Sequence, residues 1–266
     1  MQKRSFEGLS RKYIRFFSDP FQCLLANPDQ IMHDVAEMAL YIKYNSIQRP
    51  VYYEKIIQQL VAARAKKDSV VLFSPWGPPY RRQKAVIRDQ DAEIGTLREI
   101  TETVEAFEKN QFPVLFLLMP ADSYGINING LEKALVMDYF GYLEERVQKG
   151  IGKEKTTVVP WSSIKTKNKT QYKKLKQSIE RDFYQWVKYG QYKNAVRTAR
   201  FFGKGSPEKT AKRYCVERLV EGILIDELYS PIKISLAEKG NDIFDGPLSR
   251  VYLIQDKRPW MFGEAQ

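Results

Sequence analysis

An α/β fold with a doubly wound parallel sheet is predicted by three short apolar runs that alternate with segments of helical period. The runs are SVVLF at 69–73, FPVLFLLMP at 112–120 and TTVVPW at 156–161. Each resembles a strand that is buried on both faces of a parallel sheet. Amphipathic stretches at 91–111 and 131–150 separate them. The order strand, helix, strand, helix, strand is that of consecutive βαβ units.

Helical segments flank this predicted core on both sides. Residues 29–45 and 52–68 carry apolar side chains at a spacing of three and four, which predicts two amphipathic helices before the first strand. Two long helical segments follow the third run and are separated by GKGSP. Near the end, IKISL at 232–236 and SRVYLIQ at 249–255 predict a closing antiparallel hairpin.

The whole pattern predicts one domain over residues 1–266. A helical flank at 1–66 would precede a Rossmann-like catalytic core at 67–266, with an antiparallel edge at its C-terminal end. The longest apolar runs are far shorter than the roughly 20 residues of a membrane helix. The N-terminus lacks the continuous apolar core of a signal peptide. We therefore expect a cytoplasmic protein.

Composition excludes several kinds of catalytic centre. Cys23 and Cys215 are the only cysteines, so neither a disulfide framework nor a cysteine zinc site can be built. His33 is the only histidine, which excludes a multi-histidine metal site and limits any Ser-His-Asp triad to that residue. His33 belongs to a predicted helix remote in sequence from the candidate sites below. We expect no metal and no other cofactor.

Positive charge is concentrated in one part of the chain. The 43 Lys and Arg against 32 Asp and Glu give a net charge of +11, which favours an anionic partner. Residues 165–213 hold fifteen Lys and Arg and three acids, a net charge of +12. Aromatic residues are interleaved with these cations: Tyr172, Tyr184, Trp186, Tyr189 and Tyr192. The combination suits RNA, because bases can stack on the rings while phosphates contact the cations.

Two other interpretations of this stretch remain open. A small phosphorylated substrate would need only two or three of the cations. Alternatively, the stretch is an ordinary amphipathic helical region with a solvated lysine face. That interpretation predicts a buried stripe made of Leu175, Ile179, Phe183 and Trp186.

The loop after the first run, Ser74 to Lys84, is the first candidate site. Ligands of doubly wound sheets bind outside the carboxyl ends of the strands, where this loop begins. It is neither a Walker loop nor a GxGxxG turn, because Gly77 is its only glycine. A proline-rich packing corner is the alternative. The loop offers two flat rings and three cations that could hold a phosphate or carboxylate: Trp76, Tyr80, Arg81, Arg82 and Lys84.

Three further groups could carry chemistry, and each has a structural alternative. Glu93 stands at the head of the next helix, where an acid is also favoured by the helix dipole. Lys233 and Ser235 share one face of a predicted strand, which could equally be the polar face of an edge strand. The last group follows the second strand and could bind a polar substrate or form an Asx-type turn: Asp122, Ser123 and Tyr124.

Taken in order, these segments resemble the isonitrile (isocyanide) synthase family of the pyoverdine and dityrosine biosynthesis type. FSPWGPPYRRQK followed by DQDAE resembles that family's F-P-x-K-S-P-N-like loop, lysine and P-D-x-A-E helix start, with Lys84 and Glu93 at the matching places. LLMPADSYG and DYFGYLEE resemble its S-D-G-like turn and Y-x-x-L helix. IKISLAEKG and KRPWMFG resemble its I-R-L-S-I-H-P and T-P-W-H segments. The resemblance covers roughly residues 55 to 262.

This resemblance implies conversion of an amino acid's amine to an isonitrile, with the pentulose phosphate ribulose 5-phosphate as carbon donor. The substrates would be an amino acid and a phosphosugar. The loop lacks the family's Asn, and Ala237 or Glu238 and then Met261 replace its two histidines. Together with their positions at strand ends and at a helix start, this resemblance predicts Ser74, Glu93, Asp122 and Lys233 as catalytic residues. The implied binding residues are Trp76, Tyr80, Arg81, Arg82, Lys84, Ser123, Tyr124 and Ser235.

A second class, the tRNA-dependent cyclodipeptide synthases, is similar in other respects. They too have a Rossmann-like domain with a serine just after the first strand, and Ser74 after VVLF is similar to it. Their Tyr-x-x-x-Glu motif would fall on Ile223 and Glu227, so the tyrosine is absent. The basic stretch would then bind tRNA. A non-catalytic RNA-binding protein is the third class, and charge alone supports it.

Overall fold

A computed structural model describes residues 28–46, 50–77, 91–128, 130–202, 205–236 and 246–254. Only the backbone is described for residues 28, 91–93, 201–202, 235–236 and 252–254. No helix within the described ranges is long and apolar enough to cross a membrane.

Strands and helices alternate through this part of the chain. Helices α1 (Pro28–Asn45) and α2 (Tyr53–Lys66) precede strand β1 (Val70–Trp76). Helix α3 (Asp91–Lys109) leads to β2 (Val114–Pro120), and α4 (Lys133–Ile151) leads to β3 (Thr156–Val158). The chain then forms α5 (Trp161–Lys167), α6 (Lys169–Arg181), α7 (Phe183–Trp186), α8 (Tyr189–Phe202) and α9 (Pro207–Tyr229). Strands β4 (Ile232–Leu236) and β5 (Ser249–Ile254) follow.

The three strands expected from the apolar runs are present, with changed ends. Strand β1 continues three residues beyond the predicted end, to Trp76. Strand β3 is shorter than expected and ends at Val158. The strand cannot continue to residue 161, because Pro160 has no backbone N–H to donate to a strand ladder. Pro160 directly precedes the first residue of α5.

All five strands are parallel, in the order β3-β2-β1-β4-β5. The order runs outward from β1 to β3 and then returns to the other side of β1, which is the doubly wound, Rossmann-like arrangement. The predicted fold class is therefore confirmed.

The predicted antiparallel hairpin at the C-terminal edge is wrong, because β5 runs parallel to β4. Their connection, residues 237–248, has the length of about a dozen residues that a parallel crossover needs, whereas hairpin turns are much shorter. An antiparallel bridge does exist on the outer side of β5. There Val51 and Arg250 exchange two backbone hydrogen bonds of 3.0 and 3.1 Å.

Each face of the sheet is covered by its own layer of helices. Leu72, Phe116 and Ile232 belong to the core beneath α1–α4. Phe73 and Leu117, their neighbours along the strands, belong to the core beneath α5–α9. Side chains alternate between the two faces of a strand, so every strand position is assigned to one helical layer. This assignment decides which predicted site residues can meet.

The helical flank ahead of β1 is tied to the rest of the chain by buried and half-buried polar contacts. Within the flank, Arg64 of α2 donates from Nε to Asp34 of α1 over 2.8 Å and joins the two helices to each other. Lys55 of α2 forms an ion pair with Asp226 near the end of α9 and donates to the carbonyl of Pro247 over 3.0 Å. The predicted flank is thus packed against the Rossmann-like core at the β5 edge.

Candidate functional site

Strands β1 and β4 separate at their carboxyl ends. They pair only at Leu72 with Ile232 and at Phe73 with Lys233. Beyond those pairs, β1 stays with β2 as far as Trp76, while β4 continues beside β5. The separation lies where the strand order reverses, and such a crevice is where doubly wound sheets bind ligands. We call it the β1/β4 fork.

Ser74 and Lys233, two of the predicted catalytic residues, stand at this fork and are each only 6% exposed. They lie on opposite faces of the sheet. Ser74 is two residues after Leu72 and shares its face, under α1–α4, whereas Lys233 directly follows Ile232, which packs under α1–α4, and therefore faces α5–α9. The structure brings both residues to one edge, but it does not place them side by side.

Lys233 has a second cation as its strand neighbour. Arg250 of β5 stands directly in register with Lys233 and is 2% exposed. Both residues face α5–α9, because Ile234 and Val251 next to them pack on the opposite face. Strands β4 and β5 therefore carry two adjacent buried cationic side chains beside the fork. The sequence pattern pointed to Lys233 but not to Arg250.

Trp76 occupies the core instead of a substrate-facing loop. It is fully buried at the end of β1, and its indole Nε1 donates to the Tyr139 hydroxyl over 2.8 Å. The flat surface predicted here is thus enclosed by the helices that cover the sheet.

Several predicted site residues are described in part or not at all. Tyr80, Arg81, Arg82 and Lys84 lie outside the described residues. Glu93 in the first turn of α3 and Ser235 in β4 are described by their backbone only. The roles predicted for these six residues stay predictions. His33 lies exposed on α1.

The turn after β2 is held by the start of the next helical layer. Asp122, Ser123 and Tyr124 are all buried. Asp122 accepts a hydrogen bond of 3.1 Å from the backbone N–H of Ser162, and Ser123 accepts one of 3.0 Å from Nζ of Lys165. A π-helical turn, Tyr124–Ile128, follows at once. Turns of this kind are rare in proteins, and those that do occur are often found at functional sites. Asp122 and Ser123 thus bond to α5 of their own chain.

A buried carboxylate on α9 collects the polar side chains of this region. Glu217 accepts from Nε1 of Trp161 over 3.2 Å and from the hydroxyl of Tyr172, and Nζ of Lys165 lies 3.7 Å from it. The Lys165 ammonium also lies 5.7 Å from the Trp161 ring centroid and 5.5 Å from that of Tyr172. We call these four residues and Ser123 the Glu217 cluster.

The Glu217 cluster satisfies its charges internally. A buried carboxylate is tolerated when hydrogen bonds and an opposite charge replace water, and Glu217 has both. Burial, followed by the hydrogen bond to Glu217, raises the pKa of the Tyr172 hydroxyl. Tyr172 therefore stays protonated and remains a donor to Glu217.

A second buried carboxylate, Glu221, lies one turn after Glu217 on α9. Glu221 is 1% exposed and forms an ion pair with Arg218, whose guanidinium lies 6.0 Å from the ring centroid of Tyr124. Burial first, and then the charge of Glu221, raise the pKa of Tyr124 well above its ordinary value. The hydroxyl of Tyr124 is therefore protonated at neutral pH, beside a buried ion pair.

The sequence did contain a signal for these two acids that pattern reasoning missed. Glu217 and Glu221 are four residues apart, so they share a face of α9 in the otherwise apolar run VERLVEGILI. An acid pair on an apolar helix indicates a buried polar cluster. The partners Trp161, Lys165 and Tyr172 could not be identified that way, since they come from other helices. No group of three or more His, Cys, Asp and Glu suited to a metal ion occurs among the described residues.

The basic stretch forms the outer surface of the α5–α9 layer. Of its described cations all except Lys165 and Lys176 are exposed: Lys167, Lys169, Lys173, Lys174, Arg181, Lys188, Lys193, Arg197, Arg200, Lys209, Lys212 and Arg213. Three of its aromatic residues are exposed as well, Tyr184 by 72%, Trp186 by 44% and Tyr189 by 74%.

The buried stripe expected for this stretch is partly wrong. Ile179 and Phe183 are buried and Leu175 is half-buried, but Trp186 is exposed. The reason is a break in the helix: α6 ends at Arg181, and α7 covers only Phe183–Trp186. A single continuous helical period therefore does not extend to Trp186, and Val187 is buried in its place.

No protein-family model and no curated protein matches this sequence. Among solved structures, the chain is similar to tryptophanyl-tRNA synthetase from Encephalitozoon cuniculi, with a TM-score of 0.46 and 10% identity over 84% of this chain and 68% of that one. It is also similar to tryptophanyl-tRNA synthetase from Aeropyrum pernix K1, with a TM-score of 0.44 and 13% identity over 93% of this chain and 63% of that one.

Proposed function

We propose that the protein is an enzyme that takes an aminoacyl group from a charged tRNA, in the manner of the tRNA-dependent cyclodipeptide synthases. One observation carries this proposal. The α5–α9 layer presents exposed cations and aromatic rings on its outer side, while its inner side chains form a buried polar cluster beside the carboxyl edge of the sheet.

The two sides of that layer are built from the same helices. Lys165 and Tyr172 turn inward to Glu217, whereas Lys167, Lys173 and Lys174 on α5 and α6 are exposed. RNA phosphates on the outer side would release counterions and bind with an affinity that depends on salt. An RNA on this surface would lie on the side of the sheet opposite to the face that Ser74 shares with Leu72, so its charged 3′ end would cross the carboxyl edge of the sheet to reach Ser74 through the fork.

Ser74 is the acceptor in this proposal. Its hydroxyl oxygen attacks the carbonyl of the aminoacyl ester, and the ester bond to the terminal ribose of the tRNA breaks. A new ester forms on Ser74, and the serine proton goes to the ribose oxygen that leaves, so the exchange is balanced without a cofactor. The amine of a second aminoacyl group could then attack the Ser74 ester. The position of Ser74 at the β1/β4 fork supports this role.

The experiment supplies the protein with tRNA charged with labelled amino acids. We expect the aminoacyl ester to be consumed faster than it hydrolyses alone, and a dipeptide product to be detected by mass spectrometry. Ser74→Ala should remove that consumption. Ser69→Ala, which changes an exposed serine just before β1, is the matched control and should leave it unchanged. Disappearance of the ester at the spontaneous rate with the parent protein would overturn the proposal.

A second candidate, the isonitrile synthase, is favoured by the two buried cations at the fork. Lys233 of β4 and Arg250 of β5 are in register there, and cationic side chains are the groups that bind the phosphate of a phosphosugar. Ribulose 5-phosphate with a mixture of amino acids therefore belongs in the same set of reactions. An isonitrile product, absent when Lys233 is changed to Gln, would favour this candidate over aminoacyl transfer.

A further inference from the structure

The corner between α7 and α8 carries the most exposed rings of the basic stretch. Tyr184, Trp186 and Tyr189 lie within six residues and are exposed by 72%, 44% and 74%. Large aromatic rings are usually covered, so three exposed rings within six residues of one another along the chain indicate a binding site. We call these three residues the aromatic corner.

One ring of the aromatic corner is held in place by buried neighbours. Phe183 is 3% exposed and anchors the corner in the core. The Tyr184 ring meets that of Phe183 edge to face at 5.2 Å, and both meet Tyr192, at 6.3 and 5.4 Å. Tyr184 is thus oriented by packing on one side while most of its surface faces water. A ring fixed in this way loses little entropy when a flat ligand stacks on it.

Three exposed cations lie near the corner, and Asp182 next to it already has a partner. Lys188 and Lys193 are exposed and form no ion pair among the described residues. Lys212 of α9 adds a third cation, with Nζ 5.2 Å from the Phe183 ring centroid. Asp182, by contrast, is paired with Arg181 over 2.9 Å. The corner therefore combines flat rings with available positive charge.

We propose that the aromatic corner stacks the unpaired bases of the bound tRNA while Lys188, Lys193 and Lys212 contact the adjoining phosphates. This inference rests on the proposed function for the identity of the RNA. Stacking on exposed rings beside cations is how proteins bind single-stranded nucleic acid, since every base has a flat face. A base-paired helix offers phosphates to the cations but no unstacked base to the rings, so the corner should discriminate between the two.

The test compares binding of uncharged tRNA, a short single-stranded RNA and a duplex RNA by fluorescence anisotropy. The Tyr184→Leu, Tyr189→Leu variant should bind the single strand at least about tenfold more weakly and the duplex unchanged. The Tyr184→Phe, Tyr189→Phe variant keeps both rings and should bind the single strand as the parent does. Tyr44→Leu, which changes a tyrosine of 77% exposure on α1, is the matched control and should have no effect.

Salt dependence separates the rings from the cations. Changing Lys188 and Lys193 to Gln should lower the log-log salt slope by about 0.7 for each phosphate that the variant no longer neutralises, while the Leu variant should keep the slope of the parent. If Tyr184→Leu disturbs the packing around Phe183, Tyr189→Leu alone is the test, because the described ring contacts do not include Tyr189. Equal weakening of single-stranded and duplex RNA, or no weakening, would overturn the aromatic corner as a base-stacking site.

The two proposals fail in distinguishable ways. Ring-dependent binding of single-stranded RNA without consumption of aminoacyl-tRNA would leave the stacking site standing and remove the transfer reaction. Consumption of aminoacyl-tRNA by a Leu variant that binds tRNA as the parent does would leave the reaction standing and remove the stacking site.

Discussion

At the scale of single residues, Glu217 shows how this fold accommodates a buried charge. Its two oxygens accept from Trp161 and Tyr172, and Lys165 supplies the opposite charge 3.7 Å away. Removing one member of such a buried set costs more than the set contributes, because the remaining groups lose their partners. The cluster joins α5, α6 and α9, so it holds the outer basic surface against the sheet.

We expect Glu217→Gln to lower the free energy of unfolding by about 1 to 3 kcal/mol, since it leaves Lys165 half-buried without its counter-charge. Urea unfolding measures the change. Glu180→Gln is the control, because Glu180 and Lys176 form a solvent-accessible pair at 3.9 Å on α6 and its removal should cost less than about 0.5 kcal/mol. Equal effects of the two substitutions would show that the Glu217 cluster contributes no special stability.

At the scale of elements, α9 is the helix on which one face of the sheet is packed. Its residues are buried on nearly all sides, for example Cys215, Leu219 and Leu224. Ser206 caps its first turn by accepting from the backbone N–H of Lys209 over 3.4 Å, and Pro207 occupies the first helical position. Because α9 contributes so many buried residues to the core, loss of its N-terminal cap should lower the stability of the whole protein.

Ser206→Ala should therefore destabilise the protein by about 1 kcal/mol, because the alanine leaves an unbonded N–H at the start of α9. Chemical unfolding at constant pH would measure this. Ser206→Asp keeps an acceptor at the cap and should retain most of the stability, and Ser206→Gly should cost only about 0.3 kcal/mol. An alanine variant as stable as the parent would contradict the capping role.

At the scale of the whole molecule, stability should decline in alkaline solution. Burial raises the pKa of the Cys215 thiol to about 12 and, with the charge of Glu221, raises that of Tyr124 well above its ordinary value. The unfolded chain releases these protons near their usual pKa values, whereas the folded chain keeps them. The stabilisation is thus complete below the unfolded pKa values and is lost as the pH rises toward the folded ones.

We expect the free energy of unfolding to be level up to about pH 8 and then to fall, by up to about 1.4 kcal/mol per pH unit for each group that ionises only when unfolded. Urea titrations at about pH 8, 9 and 10 would show the slope. Cys215→Ala removes one such group and should make the decline shallower. A stability that stays constant through this range would contradict the prediction.

Much of the architecture could be predicted from local patterns. The runs around Val70, Val114 and Thr156 became parallel strands because unbroken apolar segments are stable only where both faces are covered. Ser74 could be placed at the carboxyl edge of the sheet because that position follows from strand order alone. The basic surface could be predicted too, since long cationic side chains remain in water almost regardless of fold.

Which residues come into contact depends on the tertiary fold. The direction of β5, the burial of Trp76 and the exposure of Trp186 depend on packing between distant segments, which a local period does not encode. The same holds for Glu217, whose partners Trp161 and Tyr172 lie 56 and 45 residues away along the chain. The helices, the strands and the location of the positive charge could be predicted from the sequence, because they follow from local spacing and solvation. The polar cluster and the faces of the β1/β4 fork required the fold, because contact and burial are properties of residues brought together in space.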